Sequence, residues 1–288
     1  MTWMRFATAA VMIPVVIAVV WWGSTGLVTA LAGLVTLLAL HEFFALGEHV
    51  GLRGYRLWTS VCALAVLFQQ WTATKAQSWT LAGNFRLTRS ATASELQLEL
   101  VLFIFVLGAA AIVFLSQRPL AEALGDLSIS AAGLLFVVLP FSALVRLDGV
   151  NVIGARLVLF TLTLVWVGDT LAYFIGRWCG HTRMAPHLSP KKTWEGAAAN
   201  LLGSLLVGVL FARWLHFDAS HMLVMAGLAN IGGQAGDLIE SAYKRSAGAK
   251  DSGELLPGHG GMLDRIDALI LAAPVVWYYF ELVLASRG

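Results

Sequence analysis

"KDSGELLPGHGGMLDRIDALILAAPVVWYYFELVLA", Lys250–Ala285, decides the fold class. Its first eighteen residues, Lys250–Asp267, hold six charged side chains, one His, one Pro and four Gly. The remainder is apolar, and Ala268–Phe280 carries no charge. A bilayer core about 30 Å thick needs about 20 mostly apolar residues per helix. The run over residues 265–285 has that length. A charged, glycine-rich loop therefore leads directly into a membrane span.

The same signal recurs upstream. The chain has 288 residues, 58% hydrophobic and 12% charged, against roughly 45–50% apolar in a soluble domain. Stretches at 6–22, 25–46, 57–73, 97–116, 127–147, 156–176, 196–215 and 220–243 also qualify as spans. The expected fold is an all-α polytopic membrane protein of about nine transmembrane helices with no soluble domain. The longest candidate loop, Thr74–Leu96, is too short for a core of its own. The first stretch has the length of a secretory leader, but eight more spans come after it, so it reads as a retained first helix. Two cysteines, Cys62 and Cys179, lie in no metal-ligand spacing and read as packing residues. Trp21, Trp22, Trp58, Trp71 and Trp79 fall near span ends, where interfacial anchoring accounts for them. Gly232 and Gly236 suit close helix contact in lipid.

Lysine and arginine are retained on the cytoplasmic side of a bacterial membrane. With the N-terminus inside, the inner segments hold 12 of them and the outer segments 7. Cytoplasmic active-site loops in an inner (plasma) membrane are the expectation. Whatever the sign, the loops at 177–195 and 244–264 emerge on one side and can form one site. Residues 1–150 read as packing helices that offer a surface for a homodimer. Residues 151–288 read as the region that carries chemistry.

That second region places carboxylates inside spans. Asp169 lies in "WVGDTLAYFIGR" and Asp237 in "GDLIESAYKR". A membrane-embedded carboxylate costs at least about 2.5–3.5 kcal/mol, so it faces a partner or a polar cavity. On a helix Asp237, Glu240, Ser241 and Lys244 form one stripe, and Asp264 and Asp267 share a face. Pairing of Asp237 with Lys244 or Arg245 would explain the stripe without any ligand. Asp237, Asp264 and Asp267 can instead converge as an oxygen-only cluster suited to Mg²⁺. Lys244, Arg245, Lys250 and Arg265 supply charge for phosphate oxygens. The "GHGG" at Gly258–Gly261 can turn its N–H groups toward an anion, and His259 can donate to a phosphate or leaving group. "SPKKTWEG", Ser189–Gly196, adds Lys191 and Lys192. Its Ser189-Pro190 reads as a turn, and Thr193 and Glu195 as helix caps. Each basic cluster alone would also suit anionic lipid head groups. Glu42, in "HEFFALGEHV", reads as an interfacial carboxylate ahead of a substrate contact.

"SAYKRSAGAKDSGELLPGHGGMLDRID", Ser241–Asp267, closely resembles the C-terminal motif of the phosphatidate cytidylyltransferases, also called CDP-diacylglycerol synthases. Every fixed position of S-x-x-K-R-x(4)-K-D, P-G-H-G-G and D-R-x-D is present. "DTLAYFIGR", "SPKKTWEG" and "GDL" are similar to other blocks of that family, so the likeness covers about 166–268. The resemblance implies a Mg²⁺-dependent transfer of the cytidylyl group from CTP to phosphatidate, giving CDP-diacylglycerol and pyrophosphate. It implies Asp237, Asp264 and Asp267 at the metal, with Lys244 and Arg245 beside it and Lys191 and Lys192 on phosphates. Asp169, Glu195 and Ser241 would stand behind them. CTP, phosphatidate and membrane lipid are the expected partners, with no nucleic acid. Two other classes stay open: a CTP-dependent polyprenol kinase, and an ion-coupled transporter using Asp169 and Asp237. A CDP-alcohol phosphotransferase fits less well, because "DGVNVIGAR", Asp148–Arg156, breaks that family's D-G-x-x-A-R spacing.

Overall fold

The computed structural model describes residues 2–82, 86–91, 96–116, 118–150, 152–255 and 260–285, with side chains for those in 10–75 and from 98 on. His259 lies outside these residues. Among them run nine helical segments: α1 (Thr2–Trp22), α2 (Thr25–His49), α3 (Arg56–Ala76), α4 (Leu96–Leu115), α5 (Leu120–Asp148), α6 (Gly154–Cys179), α7 (Trp194–Leu215), α8 (Ala219–Ser246) and α9 (Leu263–Leu284). Seven are long and apolar enough to cross a membrane, and the protein is an integral membrane protein. The others are α1, whose apolar part is Ala10–Trp22, and α3, which buries Thr59, Gln69, Gln70 and Thr74.

Two helices depart from regular α geometry. α5 passes through a π segment, Gly133–Val138, just before Pro140. Proline has no N–H for the helical ladder, and a wider turn relieves the missing bond. α9 holds Pro274 and ends in a π segment, Phe280–Leu284.

Two short hairpins replace expected loops. β1 (Gln77–Ala82) pairs antiparallel with β2 (Arg86–Ala91), Gln77 opposite Ala91. β3 (Arg183–Ala185) pairs with β4 (Ser189–Thr193). Ser189-Pro190, expected as a turn, therefore opens a strand. Pro190 is tolerated because it lies in a two-stranded ribbon, where its carbonyl accepts from the Arg183 guanidinium. Cys179 is exposed rather than packed. Trp58 is a helix contact, donating to the Phe105 carbonyl at 3.0 Å and filling the space left by Gly108.

Glycines set the separation of the helices that carry the site. A Cβ on Gly236 would stand 2.4 Å from the Asp267 carbonyl, and one on Gly232 3.1 Å from that of Leu271. α8 and α9 thus touch backbone to backbone. Gly203 of α7 lies against Gly168 of α6, and Gly196 against Gly176. In lipid, where no hydrophobic force presses helices together, such contact holds them by dispersion. It also brings Asp169, Asp237 and Asp267 toward one place.

Candidate active site

α6, α7, α8 and the β3–β4 hairpin enclose a cavity of about 700 Å³. Asp169, Asn200, Gln234 and Asp237 line its floor. Arg177, Arg183, Lys191 and Lys192 line its rim. Thr193 caps α7, its hydroxyl accepting from Gly196 N at 3.2 Å, and so fixes the angle at which the two lysines enter. Glu195, in the first turn of α7, meets its own backbone N–H as well as the loop. Its carboxylate accepts from Thr182 N at 3.1 Å and closes the loop. The two functional loops meet directly: Arg245 donates through Nε to the Leu188 carbonyl at 3.1 Å and through Nη1 to that of Ala249 at 3.0 Å.

The carboxylates fall into two layers. Facing the cavity, Asp237 pairs with Lys192 at 2.5 Å, while Ser241 Oγ lies 3.4 Å from its other oxygen. Asp169 and Asp267 each interact electrostatically with Asp237 and with one another. Behind them Lys244 lies 2.5 Å from both Glu240 and Asp264, and all three side chains are nearly or wholly buried. Asp264 also accepts from Ser252 N and Gly261 N, each at 2.9 Å. The Asp237–Lys244 pairing is not formed; Lys192 takes Asp237 instead. Among the described residues no three His, Cys, Asp or Glu side chains are gathered as a ligand set. Lys250 is exposed and outside the cavity wall. Arg265 is exposed and interacts with Asp169.

A polar ladder runs from the cavity into the membrane interior. Asn200 donates to Asp169 at 3.1 Å, Asn230 to Asn200 at 2.5 Å and to Ser204 at 2.8 Å, and Gln234 to Asn230 at 2.7 Å. These amides hold Asp169 in place. The sequence pattern missed them, although uncharged polar residues in the middle of spans were a signal.

A second cavity of about 430 Å³ lies between α1, α2, α5, α6 and the start of α9. Its walls are apolar, including Met12, Val16, Leu31 and Leu162. Its polar end is Asp169, Thr170, Asp264, Arg265 and Asp267, so Asp169 belongs to both cavities.

The whole chain from residue 3 to 283 matches the model of the "Cytidylyltransferase family". It is similar to the phosphatidate cytidylyltransferase of Synechocystis sp., 42% identical over 136 residues, which is 46% of this chain and 45% of that protein. The protein of that name from Brucella abortus is 44% identical over 160 residues, 54% of this chain and 58% of the relative. The one from Haemophilus influenzae is 39% identical over 140 residues, 46% and 48% of the two chains. The aligned part spans about half the length of these relatives.

Proposed function

We propose the chemistry of this site from one premise: the chain belongs to the cytidylyltransferase family, whose model covers residues 3–283. The reaction is transfer of the cytidylyl group from CTP to phosphatidate. A phosphate oxygen of phosphatidate bonds to the α-phosphorus of CTP, and the bond from that phosphorus to the bridging oxygen of pyrophosphate breaks. The products are CDP-diacylglycerol and pyrophosphate.

The observation that carries this proposal is the pair of cavities joined at Asp169, one polar and cation-rimmed, the other apolar. They suit a nucleotide triphosphate reached from water and a lipid reached from the bilayer. The attacking phosphate is ionised near neutral pH, so no strong base is needed. The obstacle is repulsion between two anions and charge growing on the departing pyrophosphate. Lys191, Lys192, Arg177 and Arg183 offset that charge on the nucleotide side, with Arg265 at the lipid side. Asn200 and the ladder behind it keep Asp169 turned toward the junction.

The donor chemistry, carboxylate oxygen throughout, is the kind a hard divalent cation takes, while no three carboxylates among the described residues stand gathered as a ligand set. Asp169, Asp237 and Asp267 interact with one another, Glu240 interacts with Asp267, and Asp264 joins Glu240 through Lys244. Every acceptor among them is oxygen. Asp237, Asp264 and Asp267 would hold Mg²⁺; Asp264 Oδ1 keeps a lone pair beyond its bond to Lys244. When bound, Mg²⁺ supplies neutralisation of phosphate charge without proton transfer.

The site belongs on the cytoplasmic face of a bacterial inner membrane, where CTP is found. The test uses purified protein, labelled CTP, and either phosphatidate or a polyprenol. Pyrophosphate released only with phosphatidate is the expected result. CDP release with a polyprenol would make the protein a kinase, and no turnover with either would remove both.

A further inference from the structure

Glu42 sits on α2 and is 4% exposed. Its carboxylate is filled from a part of the chain about 210 residues away. Oε1 accepts from Met262 N at 2.8 Å, and Oε2 from Leu263 N at 2.8 Å. These are N–H groups at the first turn of α9, which have no partner within the helix. The Ser252 hydroxyl lies 3.0 Å from Glu42 Oε2 and 3.0 Å from Asp264 Oδ2. Its one O–H can donate to either carboxylate, so the hydroxyl links the two.

The loop is shaped around this carboxylate. A Cβ on Gly261 would stand 2.3 Å from Glu42 Oε2 and 2.1 Å from Ser252 Oγ. One on Gly253 would stand 2.7 Å from Glu42 Oε1. Gly260 has φ +80, a left-handed backbone that only glycine adopts freely. Two glycines of the loop are thus explained by room for an acid that enters from another helix.

We infer that Glu42 is a positioning residue for the reaction: it anchors the first turn of α9 and, through Ser252, the carboxylate of Asp264. Asp267 lies one turn further along the same helix, so one anchor sets two of the acidic side chains. The inference rests on the cytidylyltransferase reading of the site. Lys191 and Lys192 stand on the other loop, on β4, so the cations that meet the nucleotide are not among the groups Glu42 holds.

The test compares the full chain with Glu42→Gln, Glu42→Asp and Ser252→Ala, purified in detergent. Glu42→Gln keeps the volume but turns an amide N–H toward backbone N–H donors. The first readout is hydrogen exchange of a peptide spanning residues 260–264, without nucleotide or metal. Glu42→Gln should speed exchange there by about tenfold or more, and Glu42→Asp by less. The second readout is kinetics. Glu42→Gln should lower kcat by about tenfold or more and raise the Mg²⁺ concentration for half-activation, with KM for CTP within about threefold of the parent. Glu42→Asp should recover part of both. Faster exchange with unchanged kcat and Mg²⁺ dependence would make Glu42 a structural anchor only and overturn the inference, as would unchanged exchange. If Glu42→Gln does not fold, Ser252→Ala decides: it leaves Met262 N and Leu263 N on Glu42, removes the hydroxyl that links Glu42 to Asp264, and should still raise the Mg²⁺ requirement, and parental behaviour overturns the inference. If the parent protein transfers no cytidylyl group, the reaction is wrong, while the exchange data still decide whether Glu42 anchors α9.

Discussion

Single residues differ in what their loss removes, and the structure separates two aspartates that the sequence presents as equals. Asp237 is 31% exposed at its side chain and pairs with Lys192 at the cavity. Asp264 is buried against Lys244, whose other partner is Glu240. Lys244 keeps Glu240 if Asp264 becomes Asn, but the amide has one acceptor oxygen where the carboxylate met Lys244, Ser252 N and Gly261 N with two, and a buried donor left unmet costs about 1–3 kcal/mol. Asp237→Asn should lower turnover by at least about a hundredfold with little change in Tm, since its partly exposed pair with Lys192 opens on the cavity and such pairs near water contribute only about 0–1 kcal/mol. Asp264→Asn should lower turnover and Tm together. The double variant should turn over little worse than either single one, because groups acting as a unit are not additive. Pyrophosphate release against Mg²⁺ concentration, beside thermal unfolding in detergent, gives both quantities. Near-parental turnover of Asp237→Asn at unchanged Mg²⁺ dependence would remove Asp237 from the reaction. The charged positions themselves were readable from the sequence, because a carboxylate inside a span needs a reason. Which partner each takes was not: Lys192, from another loop, displaces the helical neighbour that spacing favoured. Glu42 read as interfacial because its donors lie so far along the chain.

Elements hold these residues in place through the closeness of their backbones. Gly236→Ala would put a methyl 2.4 Å from the Asp267 carbonyl, which belongs to backbone and cannot turn aside. α8 and α9 would have to part. Overpacking costs about 1–3 kcal/mol, more than the roughly 0.5–1 kcal/mol gained by alanine over glycine in a helix. Gly236→Ala should lower Tm and reduce turnover, as Asp237 and Asp267 separate. Gly227→Ala on the same helix meets only Leu205 Cδ2 at 3.7 Å and should be neutral or stabilising. Equal effects of the two substitutions on unfolding and pyrophosphate release would show that the contact does not set the site. The spans were legible in advance because twenty apolar residues in lipid leave the backbone no choice but a helix. The hairpins were not, since Gln77–Ala91 and Arg183–Thr193 are short and polar, with weak alternation. The π segment of α5 was hidden as well: Pro140 signals a disturbance but not its form.

The whole molecule gathers the loops at Arg177–Glu195 and Lys244–Asp264 on one side, joined by Arg245 and Leu188. The proposal that this side is cytoplasmic is testable with single cysteines at the exposed positions His187 and Glu254, placed in a Cys179→Ser background because Cys179 is exposed. Both should resist an impermeant thiol reagent in intact cells and react in inverted vesicles. Labelling of both in intact cells would reverse the orientation. The layout was legible as a count of spans, whereas the junction of two cavities needed the packing of α1, α2 and α6 against α9, which no local pattern encodes. The Glu42 contact also has a consequence for biogenesis. When α2 leaves the ribosome, the Ser252 that will meet its carboxylate is 210 residues from being made. At about 5–20 residues per second that interval is roughly 10–40 s. Throughout it α2 carries an acid whose partners do not exist, and it must wait near the head groups, where water can solvate it. A chain that stops before α9 keeps that acid unsatisfied within α2.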